Sequence, residues 1–238
     1  MRLNNYISSS GICSRREADK WIKEKKVKVN GKLADVGTKV SEDDVVEVMG
    51  KTVKPKQNKV YIAFNKPVGI TCTTESHIKG NIVDFINHKE RIFPIGRLDK
   101  DSQGLILLTN DGSIVNEILR EENNHEKDYI VTVDKPIIKS FLVSMSKGVK
   151  IFNPVQKKYV ITKSCKVEKI NDKTFKITLS QGLNRQIRRM CEVLGYKVIR
   201  LKRVRIMNIK LNGIPEGTYR NLSEEELKIL KEHTKNKS

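Results

Sequence analysis

Residues 94–112 read PIGRLDKDSQGLILLTNDG, and here the chain concentrates groups able to do acid–base or nucleophilic work. Asp99, Asp101 and Asp111 stand in a stretch rich in Gly, Asp and Ser that runs into the strand-like segment Gly104–Thr109. A carboxylate held in a loop beside a buried strand can attack an electrophilic carbon or take a proton. The stretch is no phosphate loop, because its glycines have the wrong spacing and no Gly-Lys-Ser/Thr follows. Asp101 and Asp111 read as turn or cap residues bonding nearby backbone. The same role is open to Asp99, so composition alone leaves it undecided. Asp99 and Asp101 would share a face on a strand. No further carboxylate is clearly placed to activate water, which ranks glycoside hydrolysis last.

Other candidates lie downstream. Tyr129 offers a flat ring and a hydroxyl, although strand tyrosines also simply pack. On a predicted helix over Asn184–Leu194, Ile187, Met190, Cys191 and Leu194 repeat at i, i+3, i+4 and i+7 and face the core. Arg188 and Arg189 flank that face, one able to reach a pocket while the other meets phosphate. The tract RLKRVRIMNIK at 200–210 alternates like a strand with one charged face. It reads as backbone contact to RNA through Arg203 and Arg205, or as a solvated edge strand.

These residues need a scaffold, and composition narrows its kind. Lys and Arg outnumber Asp and Glu by 47 to 28, a net charge of +19. Such an excess points to a polyanionic partner, a merely soluble cationic surface being the other reading. No amphipathic anchor or long apolar run invites a membrane. Cys13, Cys72, Cys165 and Cys191 form no CxxC pair and the four histidines have no ligand spacing, so neither metal nor disulfide framework is expected. With no signal peptide visible after Met1, a cytoplasmic protein is expected.

Residues 1–48 read as a small helical and hairpin unit. Ser14-Arg15-Arg16-Glu17 fits a capping box and Asn30-Gly31 a hairpin turn. Residues 49–59 are polar, basic and carry Pro55, and read as a linker. From 60 to 232, strands are predicted at 61–64, 104–109, 129–133, 159–167 and 174–179. Helices are predicted at 82–87, 113–119, 136–147, 184–194 and 224–231, and residues 233–238 read as a frayed end. Strands and helices intersperse without βαβ regularity, so the fold class is α+β with a mainly antiparallel sheet.

Two resemblances sharpen this picture. The runs RLNNYISSSGICSRREADKWI, VKVNG and VSEDDVVEV resemble the S4 domain, a small RNA-binding module. That implies an RNA grip by Arg2, Ser14, Arg15, Arg16, Lys20, Lys28 and Asn30, through shape and phosphates, as suits A-form RNA. The family commonly carries Gly where Lys25 stands. GRLDKDSQGLILLTNDG, seventeen consecutive positions, resembles the active-site motif of the RsuA-type pseudouridine synthases. KPVGITCT at 66–73, HEKDYIVTV at 125–133 and QGLNRQIRRMCEVLG at 181–195 resemble further motifs of that family in the same order. This chain has Gln181 where the family usually has Glu.

The resemblance implies a cofactor-free isomerase that turns uridine into pseudouridine after flipping the nucleotide into a pocket. It makes Asp99 the essential carboxylate, with Arg188 beside it to orient it and favour its charged form, and Tyr129 as the stacking surface for the base. Arg97 would fill the gap left by the flipped nucleotide. Leu98 and Ile187 would wall the base pocket, and Lys127, Arg185, Arg189, Arg203 and Arg205 would contact RNA. The wording is closest to the branch acting on 23S rRNA near the peptidyl transferase centre, with tyrosine tRNA as a second substrate, and a monomer is expected. A ribosome-assembly RNA binder without catalysis is the alternative, separable by comparing binding with isomerisation in Asp99→Asn.

Overall fold

The computed structural model describes residues 1–119 and 124–235, with side chains to residue 232. One unit comprises Met1–Val60 with His88–Phe93 and Thr109–Ser113, and a second comprises the rest.

The first unit opens with helices α1 (Leu3–Ser9) and α2 (Arg15–Lys23). The Ser14 hydroxyl accepts from the Glu17 N–H at 3.1 Å, which satisfies an orphan donor and fixes where α2 begins. This helix buries Ala18 and Ile22 and turns Arg16, Lys20 and Lys23 to solvent. The chain then leaves through Lys25 at φ 58, a left-handed conformation that costs a residue with a Cβ about 1 kcal/mol. Its Nζ lies 2.8 Å from Asp35.

Strands β1 (Val27–Val29), β2 (Lys32–Leu33), β3 (Val46–Val48) and β4 (Lys51–Val53) form an antiparallel sheet in the order β2-β1-β3-β4. Asn30 and Gly31 both have positive φ, the two-residue turn that this dipeptide signals. β4 falls in the stretch expected as linker. Met49 and Gly50, again both at positive φ, fold it back onto β3. The core is Leu3, Tyr6, Ile7, Ala18, Ile22, Val27, Val46 and Val48 with their neighbours. Arg91 and Thr109 hold their later segments to this unit, donating to the carbonyls of Cys13 (2.9 Å) and Val60 (2.6 Å).

The second unit contains β5 (Tyr61–Lys66), α3 (Ile82–Ile86), β6 (Phe93–Ile95), β7 (Gln103–Thr109), α4 (Val115–Leu119), β8 (Lys127–Val133) and α5 (Lys139–Lys147). After these come β9 (Lys150–Asn153), β10 (Lys158–Ile161), β11 (Lys166–Asn171), β12 (Thr174–Leu179) and α6 (Gln186–Val193). The unit closes with β13 (Val198–Ile206), β14 (Ile209–Lys210), β15 (Tyr219–Asn221) and α7 (Glu224–Lys235). A nine-stranded sheet runs β11-β12-β8-β13-β7-β5-β15, with β14 on β13 and β6 on β7. β11–β12, β12–β8, β8–β13 and β5–β15 are antiparallel, while β13 runs parallel to β7. The expected mixed, mainly antiparallel α+β class is the observed one.

Burial follows pattern. β7 is buried at every residue, as its continuous apolar run requires of a strand covered on both faces. β12 alternates, sending Phe175, Ile177 and Leu179 inward. Phe175 meets Phe141 of α5 edge-on at 5.4 Å, and Phe141 also packs on Tyr196. Between β7 and α7, Leu105, Leu107, Ile206, Ile209 and Leu230 join one cluster. Fully burying each such side chain is worth roughly 1.5–3 kcal/mol.

Two expectations need correction. The strand predicted over 159–167 is two strands in different sheets. Thr162 still holds to Val149 through its N–H and hydroxyl (3.0 Å each), extending the β9–β10 pairing. The chain leaves that pairing at Cys165, whose N–H donates to Ser146 O (2.9 Å), before β11 begins. The charged tract at 200–210 is no edge strand either, since β13 lies between β8 and β7. Of the expected frayed end, α7 runs on to Lys235 and residues 236–238 lie outside the described residues. No described helix is long and apolar enough to cross a membrane.

Candidate active site

Asp99 stands in the loop between β6 and β7, beside a cavity of about 910 Å³ within the second unit. The loop is held by backbone bonds: Ser102 N–H donates to Asp99 O (3.0 Å) and Gly69 N–H to Lys100 O (2.8 Å). Leu98 is buried and Asp99 is about one-third exposed, and both line the cavity, one as apolar wall and the other as accessible carboxylate.

The cation beside Asp99 is not the expected one. Arg188 turns to Asp101 and Ser102 instead. Its Nη2 donates to Asp101 O (2.8 Å) and Ser102 Oγ (3.2 Å), and its Nε lies 3.4 Å from the Asp101 carboxylate without a well-aligned bond. Arg185 reaches the neighbourhood of Asp99, at 3.9 Å, while gripping Asp101 through two bonds of 2.9 and 2.8 Å. Arg185 caps α6 in left-handed geometry, φ 50, a strained position of the kind that gathers at functional sites. Asp101, read from sequence as a turn residue, is thus the hub of two arginines. The Arg185 hydrogen bonds hold its carboxyl below the usual range despite partial burial. Asp111 does act as a turn residue, accepting from Ser113 N–H and hydroxyl at 3.1 and 2.6 Å.

Lys66 was not singled out from the sequence. It is fully buried at the end of β5, and its Nζ donates to Pro67 O and Ile70 O, both at 2.9 Å. Burial lowers its pKa, against the pull of Cys72, Asp101 and Asp99. A lysine closing the apolar run YIAFNK was the available signal.

Tyr129, Leu98 and Ile187 line the cavity as mostly buried groups, and Arg97 and Lys127 reach it from more exposed positions. Arg97, Lys100, Lys127, Arg185 and Arg188 outnumber Asp99 and Glu75 around it. An apolar wall for a base and a cationic rim for phosphates are thereby brought together around one carboxylate.

Two arginines depart from the expected outward role. Arg203 is buried, its Nε donating to Leu105 O at 2.7 Å. Arg205 grips Asp128 at 2.8 and 2.7 Å and Glu126 at 3.0 Å. The reason is the interior position of β13, where a charged side chain must find partners inside the protein. Arg189 bonds Asn184 twice, at 3.1 and 3.2 Å. In the first unit Arg2, Arg15, Arg16, Lys20, Lys28 and Asn30 are exposed. Ser14 is engaged as the cap, Arg15 bonds Asn5 (2.7 Å), and Asn30 bonds Asp44 (2.8 Å).

Residues 60–193 match the RNA pseudouridylate synthase family and residues 1–46 the S4 domain. The chain is 58% identical over 229 residues to the dual-specificity RNA pseudouridine synthase RluF of Escherichia coli K12, covering 95% of itself and 77% of that protein. It is 37% identical to the ribosomal large subunit pseudouridine synthase B of Bacillus subtilis 168, covering 99% and 98%. A crystal structure of a pseudouridylate synthase superposes with TM-score 0.70 at 29% identity, covering 97% of this chain and 99% of the other.

Proposed function

The chain belongs to the RNA pseudouridylate synthase family, of RsuA type with an N-terminal S4 domain, and on that premise we propose that it isomerises a uridine of 23S rRNA with Asp99 as the reacting carboxylate. The observation that carries the reading is Asp99 on a cavity with ample room for a nucleotide, with Tyr129, Leu98 and Ile187 as walls and arginines at its rim. Large-subunit rRNA is favoured by the named substrate of the Bacillus subtilis relative. The Escherichia coli relative is named as dual-specificity, which supports a second RNA substrate, and we propose tyrosine tRNA for it.

The reaction breaks the N1–C1′ bond, turns the uracil, joins C5 to C1′ and moves the C5 proton off carbon while N1 gains one. Such a base must leave its stack, and the cavity offers it a wall of Leu98, Ile187 and the Tyr129 ring. Asp99 acts as an anion, by attack on sugar or base or by removal of a ribose proton. Arg185, fixed through Asp101, supplies the positive charge beside it. Apolar walls keep the detached uracil from water. Residues 1–48 serve as the RNA-gripping module and 60–232 as the catalytic one, acting as a cytoplasmic monomer without a cofactor.

Tritium release from unmodified large-subunit rRNA labelled at uridine C5 tests this. Wild type is expected to release tritium, and Asp99→Asn to bind the RNA without release. Release by both proteins would remove Asp99 from the chemistry. Release only from labelled tyrosine tRNA would reassign the substrate.

A further inference from the structure

We propose that the outer face of the β9–β10 hairpin is a stacking platform for unpaired nucleotides of the RNA substrate that flank the uridine in the cavity. This rests on the reading of the cavity as the site of a flipped uridine.

The hairpin is a two-stranded sheet of its own, with Phe152 opposite Tyr159 and Lys150 opposite Ile161. Alternation sends Ile151 and Asn153 inward and leaves Phe152 (43% exposed), Tyr159 (67%) and Ile161 (72%) outward. Hairpins normally give their outer face to polar residues, so an aromatic pair beside an aliphatic one is an apolar patch awaiting cover. The two rings stand edge to face, centroids 5.4 Å apart, and Lys150 Nζ lies 5.5 Å from the Tyr159 ring centre.

Charge selects the partner. Between Asp134 and Glu168 the chain has no acidic residue, yet it carries eight lysines, among them Lys150, Lys157 and Lys158 on the hairpin. A second copy of this chain would bring like charges together on the patch, whereas a nucleic acid brings phosphates for the lysines and bases for the rings. Position selects it further. Asn153, Val155 and Gln156, at the hairpin's turn, line the same cavity as Asp99 and Tyr129. A strand that gives up one nucleotide to that cavity leaves its neighbours unstacked next to the hairpin. Aromatic faces set among cations are what single-stranded bases take, with little sequence preference.

The test compares full-length wild type with the Phe152→Ala/Tyr159→Ala double variant and with Tyr159→Trp. Kd is measured for a large-subunit rRNA fragment and for anionic phospholipid vesicles, alongside tritium release at saturating RNA. Stacking on such rings is worth about 1–3 kcal/mol per base, so the double variant is expected to bind RNA roughly 5- to 150-fold more weakly for each stacked base it loses. Its maximal rate should stay within about twofold and its melting temperature should be unchanged, the side chains being exposed. Tyr159→Trp is expected to keep wild-type affinity. RNA affinity unchanged in the double variant overturns the platform, and so does a loss confined to vesicle binding or to self-association. Binding needs no turnover, so failed tritium release by wild type would strike the reading of the cavity and leave the affinity ratio to decide the platform.

Discussion

Gly104 sits where β7 meets β13, paired with Arg203, at φ +105. A Cβ added there would lie 2.2 Å from Arg203 O and 2.8 Å from Arg203 N, both backbone atoms with little room to yield. Gly104→Ala therefore carries two costs. Holding a residue with a Cβ at that φ costs about 1–2 kcal/mol. Wedging two paired strands apart adds roughly 1–3 kcal/mol. The sum, about 2–5 kcal/mol, is a large part of the 5–15 kcal/mol that typically holds a domain together. For a chain of this length it corresponds to a fall in Tm of roughly 10 °C. Circular dichroism melts at matched salt and concentration would read it. Gly182→Ala is the control, because its Cβ meets nothing within 4 Å, and it should melt like wild type. A Gly104→Ala melt within about 2 °C of wild type would refute the reasoning, by showing that the β7–β13 seam relaxes at little cost.

Three further outcomes follow from the site and its supports. Burial raises the Asp128 carboxyl, but bonds from Arg205, Thr178 and Lys176 outweigh it and hold the group down to about 2. A depressed carboxylate stabilises the fold above its unfolded pKa, so about 2 kcal/mol present above pH 4 should vanish as pH falls toward 2, and melts against pH should show Asp128→Asn lacking that part of the slope. Asp101→Asn releases Arg185 and loosens Arg188; tritium release is expected to fall at least tenfold while Tm, for so exposed a pair, moves by little. Ser14→Ala removes the cap of α2 and should cost the first unit about 1 kcal/mol, read by amide exchange in that helix.

What sequence made legible was what short-range chemistry decides. The Ser14 cap, the Asn30-Gly31 turn and the buried run Leu105–Leu108 each depend on neighbours within a few residues. The family motif located Asp99 and Tyr129 on one cavity for a related reason, since an extended exact pattern carries its context with it. Pairings between distant segments were not legible. Alternating arginines on β13 look the same whether they face water or Asp128, and only the strand's interior place in the sheet turned Arg205 inward. Asp101 looked like a turn residue because its partners, Arg185 and Arg188, arrive from α6 and its cap. The split between β10 and β11 was hidden because both halves suit a strand by propensity and differ only in their partners, β9 for one and β12 for the other.

The parallel seam of β7 with β13, and the seat of β15 on β5, also set an order of events. Each joins segments from far apart in the chain, Gly104 with Arg203 and Phe64 with Tyr219, so loop-closure entropy must be met before either contact returns anything. The helices and hairpins of the S4 unit need much shorter closures. During synthesis that unit can mature while the loop bearing Asp99 is still waiting for the strand that braces it. The carboxylate is thus translated early and becomes useful late, and an arrested chain lacking β13 should carry an RNA grip with no isomerase behind it, as tritium release from stalled chains would report.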